Sequence, residues 1–261
     1  MSTYWERFHA ERPGAVGEFL TRLEAGHLSP HTWLARSVTP YTGGRHAIVL
    51  DVACGDGRMT EALDDADCTV VGLDRSQAQL DRARERTADL RGDHVWLRAD
   101  ATNLPFASHS VDALTCAWGL AAFDDPATAA GEFGRVVRPG GLVAVIAPAM
   151  LPLAPGDLRV RTTLNRMLGR PSFPLQRGGV KQLLTVAGLQ VVENNHDRYH
   201  FTVKDRADAE VLLSGMYLPK ASDRRVGRAL NWLERRAEEA RASGLPGVRV
   251  PVPLRRVVAL A

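Results

Sequence analysis

The chain has 261 residues, a formal net charge of +3 and a composition typical of globular proteins. This length suits one well-packed α/β domain with additions. The charge falls well short of the basic footprint of a nucleic-acid-binding domain, although charge alone leaves both substrate classes open. The three cysteines form no Cys-x-x-Cys pair and have no partnering histidine spacing, so we expect neither a disulfide framework nor a metal site.

The N-terminal segment lacks the apolar core of a secretory signal, and no run approaches the roughly 18 apolar residues of a membrane span. We therefore expect a cytoplasmic protein. Two short helices are predicted before the core, one with Val16, Phe19, Leu20 and Leu23 on a common face and another after Pro30.

The stretch Ile48 to Thr60 predicts a buried strand, a tight loop and the start of a helix. Its apolar run ends at Asp51, and Met59 begins helical spacing. Small residues fill the loop because Cβ atoms would hold a ligand away from the backbone, and glycine adopts positive φ at low cost. The loop therefore indicates a ligand contact; its residues are Ala53, Cys54, Gly55, Asp56 and Gly57.

Two nucleotide-containing ligands use a strand-to-helix loop of this kind. A dinucleotide requires G-x-G-x-x-G, but counting from Ala53 through Gly55 places Arg58 at the third glycine. The pattern D-x-A-x-G-x-G from Asp51 to Gly57 instead resembles motif I of the class I S-adenosylmethionine (SAM) dependent methyltransferases. Ala53 departs from that motif at its first glycine.

Downstream segments extend the resemblance in order along the chain. Val70 to Asp74 is a second apolar run ending in a carboxylate, and Ser76 gives a capping signal for the next helix. Val95 to Ala101 resembles the adenine-recognition step of the family. Glu132 to Gly141, EFGRVVRPGG, is similar to a signature of the ubiquinone and menaquinone biosynthesis type, with Val137 in place of leucine.

Strand and helix signals alternate from residue 47 to residue 147, as in a parallel sheet covered by helices. The resemblance implies an α/β, Rossmann-like, doubly wound and mostly parallel seven-stranded sheet. Its last strand, Val248 to Leu260, is expected to be antiparallel. We expect an N-terminal helical lid at residues 1–46 and a SAM-binding methyltransferase domain at 47–261, with inserts at 148–178 and 199–245.

In the resembling family, N-terminal helices lie across the cofactor. Tyr4, Trp5, Phe8 and His9 are candidates to line such a lid, and the alternative is that these aromatics only pack the helix onto the core. The lid is expected to be completed by the two inserts.

The resemblance also assigns the cofactor contacts. Asp51, Ala53, Gly55 and Gly57 are assigned to the methionine and ribose side, and Asp74 to the ribose hydroxyls. Asp100 and Ala101 are assigned to adenine, and the backbone at Ala117 or Trp118 to the methionyl ammonium. Arg75 is a further candidate cofactor contact. For Asp74 and Asp100 the alternative is a purely structural role in helix capping or turn formation.

A catalytic base is harder to assign from the sequence. Five histidines lie in segments that can face a substrate: His9, His27, His31, His196 and His200. We select His200, in the cluster with His196 and Tyr199, as the candidate base, and Trp118 as a candidate aromatic wall of the acceptor site. Cys116 has no proline before it, unlike the nucleophile of 5-methylcytosine enzymes, and is interpreted as a small core residue.

These features predict a methyltransferase that uses SAM to modify a small, partly apolar molecule, such as a natural product or a quinone-like compound. A carbon or oxygen nucleophile is favoured over nitrogen. Two other functions stay open: a SAM-binding protein that catalyses a cyclisation or rearrangement without methyl transfer, and an RNA methyltransferase. The oligomeric state is also open, a homodimer included.

Overall fold

The computed structural model describes residues 4–26, 28–41, 46–64, 66–169, 179–216, 218 and 221–261, with the backbone alone for 4–6. One mixed sheet organises the described chain. Its strands are β1 (Leu23–Glu24), β2 (Ala47–Val52), β3 (Cys68–Asp74), β4 (His94–Arg98), β5 (Val111–Ala117), β6 (Val137–Pro148), β7 (Gln190–Val203) and β8 (Val248–Leu260).

The strand order is β1-β7-β8-β6-β5-β2-β3-β4, and the strands from β6 to β4 run parallel to one another. Strand β8 is antiparallel to both of its neighbours, β6 and β7. The predicted doubly wound, mostly parallel sheet with an antiparallel last strand is confirmed. The two-residue strand β1 adds an eighth member to the expected seven, because Leu23 and Glu24 pair with Phe201 and His200 at the edge of β7.

Eleven helices cover the sheet within the described ranges. They are α1 (Tyr4–Glu11), α2 (Ala15–Thr21), α3 (Pro30–Val38), α4 (Arg58–Ala62), α5 (Gln77–Arg86), α6 (Gly119–Ala122), α7 (Pro126–Val136), α8 (Pro155–Leu168), α9 (Gly179–Val186), α10 (Arg206–Gly215) and α11 (Asp223–Ala242). None of these described helices combines the length and apolar character that a bilayer-spanning segment requires.

Two apolar cores form because successive strand residues point to opposite faces of the sheet. On β2, Val49 joins the core beneath α2, α3, α8, α10 and α11, whereas Leu50 and Val52 join the core beneath α7 and α9. Ser76 caps α5 and Asp125 caps α7, as the sequence predicts: each side chain accepts a hydrogen bond from the backbone three residues later.

The sequence pattern alone predicts a sixth strand that covers only Leu189 to Glu193 in this part of the chain, and the strand observed is longer. Strand β7 runs from Gln190 to Val203 and pairs along that length with β8. The first residues of the expected insert at 199–245 therefore lie in the sheet, and the helical part of this region begins at Arg206.

Candidate functional site

A cavity of about 940 Å³ lies where β2, β3, β4 and β5 end at their carboxyl edge. Parallel α/β sheets place ligand sites at this edge, near the point where strand order reverses. Here the chain proceeds outward from β2 to β3 and β4 on one side, and later to β5 and β6 on the other. Of the residues assigned to the cofactor, all but Gly57 line this cavity: Asp51, Ala53, Gly55, Asp74, Arg75, Asp100, Ala101, Ala117 and Trp118.

Asp51 is the innermost carboxyl group of the site. It lies near the end of β2, is only 2% exposed, and accepts a 2.7 Å hydrogen bond from the Thr115 hydroxyl on β5. Burial raises the pKa of Asp51 to about 7, and the negative charge of Asp74 adds to this effect. A carboxyl group in this state is stabilised in its charged form by a bound cation.

The loop after β2 has a left-handed backbone at Ala53 (φ 57°) and Gly55 (φ 56°). The alanine is accommodated because a glycine faces it: a Cβ atom at Gly119 would lie 2.5 Å from the Ala53 Cβ. The departure from motif I at Ala53 is therefore matched by a close backbone approach on the β5 side.

Gly57 has a different role from the one assigned to it. Its positive φ of 83° begins α4, and an added Cβ would lie 3.0 Å from Trp96 and 3.3 Å from Ala83. Gly57 thus permits close packing behind the loop, and it is absent from the cavity lining.

Asp74 ends β3 and joins the loop after β2 to the start of α5. One of its oxygens accepts the Gly55 N–H at 3.0 Å and the other accepts the Ser76 N–H at 2.9 Å. Burial raises the pKa of the carboxyl group, while the hydrogen bonds and His9 act in the opposite direction. Asp74 therefore has both a structural role and a position in the cavity wall.

Asp100 follows β4 and is more exposed than Asp51 and Asp74. Its Oδ1 accepts hydrogen bonds from the backbone N–H of Thr102 at 2.9 Å and from the Thr102 hydroxyl at 2.8 Å. These bonds lower the pKa of Asp100, and Arg75, whose Nε lies 3.6 Å from Oδ2, acts in the same direction. The carboxylate is thus held charged at the outer end of the cavity, next to Ala101.

Trp118 closes the β5 side of the cavity. Its backbone has a φ of 74°, which is unusual for a tryptophan, and its backbone N–H donates to the Ile146 carbonyl at 2.8 Å. The indole ring is buried and meets Phe19 of α2 edge to face, with ring centroids 5.8 Å apart. The predicted aromatic wall at Trp118 therefore lies in the cavity lining.

The N-terminal helices lie against the cavity and are tied to α5. Gln79, only 2% exposed, donates to His9 Nδ1 at 2.8 Å and accepts the Gly14 N–H at 2.8 Å. A Cβ at Gly17 would lie 2.0 Å from an Asp56 oxygen, so α2 packs directly on the loop after β2. His9 lines the cavity, whereas the Tyr4 and Trp5 side chains lie outside the described residues.

His31 is a cavity residue that the sequence interpretation named among five histidines without selecting it. It is 7% exposed, stands in the first turn of α3 and lines the cavity with Arg58 and Met59. Burial lowers its pKa to about 4, with Asp56 and Arg58 acting in opposite directions. Only the N-cap Ser29 and the following proline signalled that the helix begins here.

His200, the base selected from the sequence, does not reach this cavity. It lies on β7, where Asp157 Oδ1 is 3.2 Å from Nε2 and Arg249 Nη2 is 3.1 Å from Nδ1. The strand continues past Glu193 and carries His200 to the β1 edge of the sheet, away from this cavity. The described parts of the two inserts also contribute no residue to the cavity, which is lined by residues between His9 and Asp125.

No group of three or more histidine, cysteine, aspartate or glutamate side chains suited to a metal ion occurs among the residues described. All three cysteines are buried free thiols, and burial raises the pKa of Cys116. Cys116 is fully buried in the core, in agreement with its interpretation as a small core residue.

The chain shares its fold with solved structures of methyltransferases. A family model for the methyltransferase domain matches residues 50–145. The structure is similar to that of a Bacillus halodurans C-125 protein assigned to the methyltransferases, with a TM-score of 0.62, 16% identity and coverage of 87% of this chain and 97% of that one.

Curated relatives resemble part of the chain. The demethylmenaquinone methyltransferase of Renibacterium salmoninarum is 41% identical over 97 residues, which are 37% of this chain and 39% of that protein. That of Clavibacter sepedonicus is 32% identical over 149 residues, 52% of this chain and 59% of the relative. The matches thus span less than two thirds of these relatives. Residues 50–145 match a methyltransferase domain, and part of the chain is similar to demethylmenaquinone methyltransferases.

Proposed function

We propose that this chain is a SAM-dependent methyltransferase acting on a small, partly apolar acceptor. The observation that carries the proposal is the row of carboxylates at one edge of the sheet. Asp51, Asp74 and Asp100 lie at or just after the ends of three neighbouring strands and line a single cavity of about 940 Å³. Such a row suits an elongated ligand that has a cationic end and a hydroxylated, nucleoside end.

The residues present fit SAM at each of its parts. The left-handed loop at Ala53 and Gly55 lets a ligand approach the backbone, and Asp51 offers a buried carboxyl group to its positive charge. We assign Asp74 to the ribose hydroxyls, and Asp100 with Ala101 to the adenine edge; all three residues line the cavity. Bound SAM supplies an electrophilic methyl group, so the protein has to position a nucleophile and exclude water.

The acceptor side of the cavity is apolar. Val16 and Leu20 of α2, Met59 of α4, and Trp118 and Phe123 after β5 line it. The relatives named demethylmenaquinone methyltransferases make a reduced quinone the leading acceptor class, with a ring carbon as nucleophile. A hydroxyl oxygen of the same ring is the second candidate nucleophile, and nitrogen is disfavoured because the proposed acceptor class carries none.

The test is transfer of a radiolabelled methyl group from SAM to 2-prenyl-1,4-naphthohydroquinone under anaerobic conditions, with product identified by mass spectrometry. We expect a product 14 mass units heavier, formed by wild type and abolished by S-adenosylhomocysteine in excess. Tight SAM binding without transfer to this or any other quinol would contradict the proposed acceptor and favour the rearrangement function. Transfer to RNA alone would favour the RNA methyltransferase.

A further inference from the structure

His31 differs from the other histidines of the described chain that are buried or tied to the lid. His200 is held between Asp157 and Arg249, and His9 accepts from Gln79. Within the part of the chain that the structure describes, neither ring nitrogen of His31 has a protein hydrogen-bonding partner, although the residue is only 7% exposed. Buried polar groups are nearly always hydrogen-bonded, so this ring is arranged to contact a ligand in the cavity it lines.

The position of His31 places it on the acceptor side. Helix α3 packs against α4 and β5, at the opposite end of the carboxylate row from Asp100 on β4. Its ring shares the cavity wall with apolar Leu20 and Met59. The charged groups that act on it are Asp56 and Arg58, and burial outweighs both, so the imidazole is neutral near pH 7. A neutral imidazole has a free lone pair on one nitrogen.

We propose that His31 accepts the hydroxyl proton of the methyl acceptor during methyl transfer. This inference rests on the proposed function and assigns a catalytic residue to it. The acceptor it requires is a phenol or hydroquinone whose hydroxyl group points toward α3, while its nucleophilic carbon points toward Trp118 and the loop after β2.

The step balances as follows for a hydroquinone. The ring carbon forms a bond to the methyl carbon as the sulfur–methyl bond breaks, which leaves S-adenosylhomocysteine. The hydroxyl proton passes to a His31 nitrogen, and the ring gains a carbonyl oxygen and a carbon that bears both hydrogen and methyl. That hydrogen then leaves as a proton and the carbonyl oxygen takes one up, which restores the aromatic hydroquinone. His31 returns its proton to solvent, so one proton is released and no oxidant is needed.

The low basicity of His31 sets the order of events. A phenolic hydroxyl has a pKa near about 10, so an imidazole with a pKa of about 4 does not deprotonate it beforehand. The ring gains positive charge as the methyl group is transferred. Its hydroxyl group then becomes a strong acid, and a weak base such as His31 can accept its proton. Proton transfer therefore accompanies or follows methyl transfer.

Binding gives the first test, independent of turnover. Titrations of 1,4-naphthohydroquinone and of 1,4-dimethoxynaphthalene into the protein saturated with S-adenosylhomocysteine compare wild type with His31→Phe. We expect His31→Phe to bind the hydroquinone about 5- to 20-fold more weakly than wild type, which corresponds to the loss of one hydrogen bond to a neutral group. Its affinity for the dimethoxy compound should stay within about twofold of that of wild type. Equal hydroquinone affinity in the two proteins would overturn the inference.

Turnover gives the second test, with His200→Gln as a matched buried-histidine control. His31→Gln keeps a hydrogen-bond acceptor but not a base, so we expect near wild-type hydroquinone affinity and a kcat lower by about 100-fold or more. The kcat of His200→Gln should stay within about threefold of the wild-type kcat. An unchanged kcat in His31→Gln would overturn the inference. The inference would also be overturned if the wild-type protein bound S-adenosylhomocysteine but did not bind the hydroquinone. Failure of wild type to bind S-adenosylhomocysteine would instead refute the proposed function itself.

Discussion

The cavity edge of the sheet and the β1–β7 edge both bury a histidine near a carboxylate, yet they satisfy their polar groups differently. At the β1–β7 edge, His200 is 5% exposed and lies between Asp157 and Arg249, and Asp157 also accepts the Ala154 N–H at 2.9 Å to begin α8. Both ring nitrogens of this histidine thus have a protein partner. At the cavity edge, Asp51 carries a raised pKa, and His31 has no hydrogen-bonding partner within the described chain.

Burial lowers the pKa of both histidines, so a shifted pKa does not separate a functional site from a structural one. What distinguishes the two histidines is that His31 lines the cavity with ring nitrogens that lack a protein hydrogen-bonding partner among the described residues, whereas both ring nitrogens of His200 have one. Four changes, from the largest expected effect to the smallest, test whether the two regions differ in this way.

The largest effect is expected at the contact between Gly119 and Ala53. Gly119→Ala places a Cβ 2.5 Å from the Ala53 Cβ and 3.0 Å from Cys116 Sγ, so the loop that holds the ligand must move. We expect SAM affinity to fall more than about 100-fold in calorimetry. Because the same change can unfold the protein, the double variant Ala53→Gly/Gly119→Ala is the companion, and it should recover much of the affinity.

Gly131→Ala is the matched control for this pair, since nothing lies within 4 Å of a Cβ there and the residue is within α7. It should leave SAM binding unchanged and raise stability by about 0.5–1 kcal/mol through helix propensity. A double variant that binds SAM no better than Gly119→Ala would show that the Ala53 contact is not the cause.

Asp74→Ala is next in size. It removes the carboxylate from the middle of the row, and charged hydrogen bonds of this kind contribute about 1.5–3 kcal/mol. SAM affinity should therefore fall about 10- to 100-fold with the fold retained. Asp64→Ala is the control, because Asp64 also accepts two backbone N–H groups, at 3.0 and 2.9 Å, but lies outside the cavity lining. Comparable losses in both variants would contradict a ligand role for Asp74.

The pH dependence of SAM binding is expected to report Asp51. Its pKa is about 7, and a bound cation stabilises the charged form of the carboxyl group, so cation binding releases a proton. Affinity should therefore rise with pH, by up to about tenfold per unit below 7, and become flat above it. Asp51→Asn should bind SAM more weakly than wild type, and its SAM affinity should no longer rise with pH below 7. A slope that persists in Asp51→Asn would assign it to another group.

The smallest effect on ligand binding is expected at the β1–β7 edge. Asp157→Ala removes the acceptor for the Ala154 N–H and the partner of His200 Nε2. We expect a stability loss of about 1–3 kcal/mol in urea titrations, with SAM affinity within about twofold of wild type. A large loss of SAM affinity without loss of stability would remove the distinction between the two regions.

The sequence predicts the cavity floor well because the floor depends on local patterns. A strand that ends in Asp51, followed by small residues, defines its loop whatever the rest of the fold does, and the same holds for Asp74 and Asp100. Parallel pairing then brings these strand ends to one edge. The capping residues Ser76 and Asp125 are equally local.

The cavity wall depends on tertiary packing and was harder to predict. His200 and His31 look alike as isolated letters, and only the continuation of β7 past Glu193 and the docking of α3 on β5 separate them. Gly14 and Gly17, where the N-terminal helices approach α5 and the loop after β2, meet Gln79 and Asp56 across long sequence separations. Such contacts leave no periodic signal.

The most direct test of the central claim is a calorimetric titration of the purified chain with SAM, S-adenosylhomocysteine and NAD in parallel. A cavity edge built for SAM predicts micromolar binding of SAM and of S-adenosylhomocysteine, with no heat from NAD. Binding of NAD alone, or of none of the three, would contradict the assignment of Asp51, Asp74 and Asp100 together.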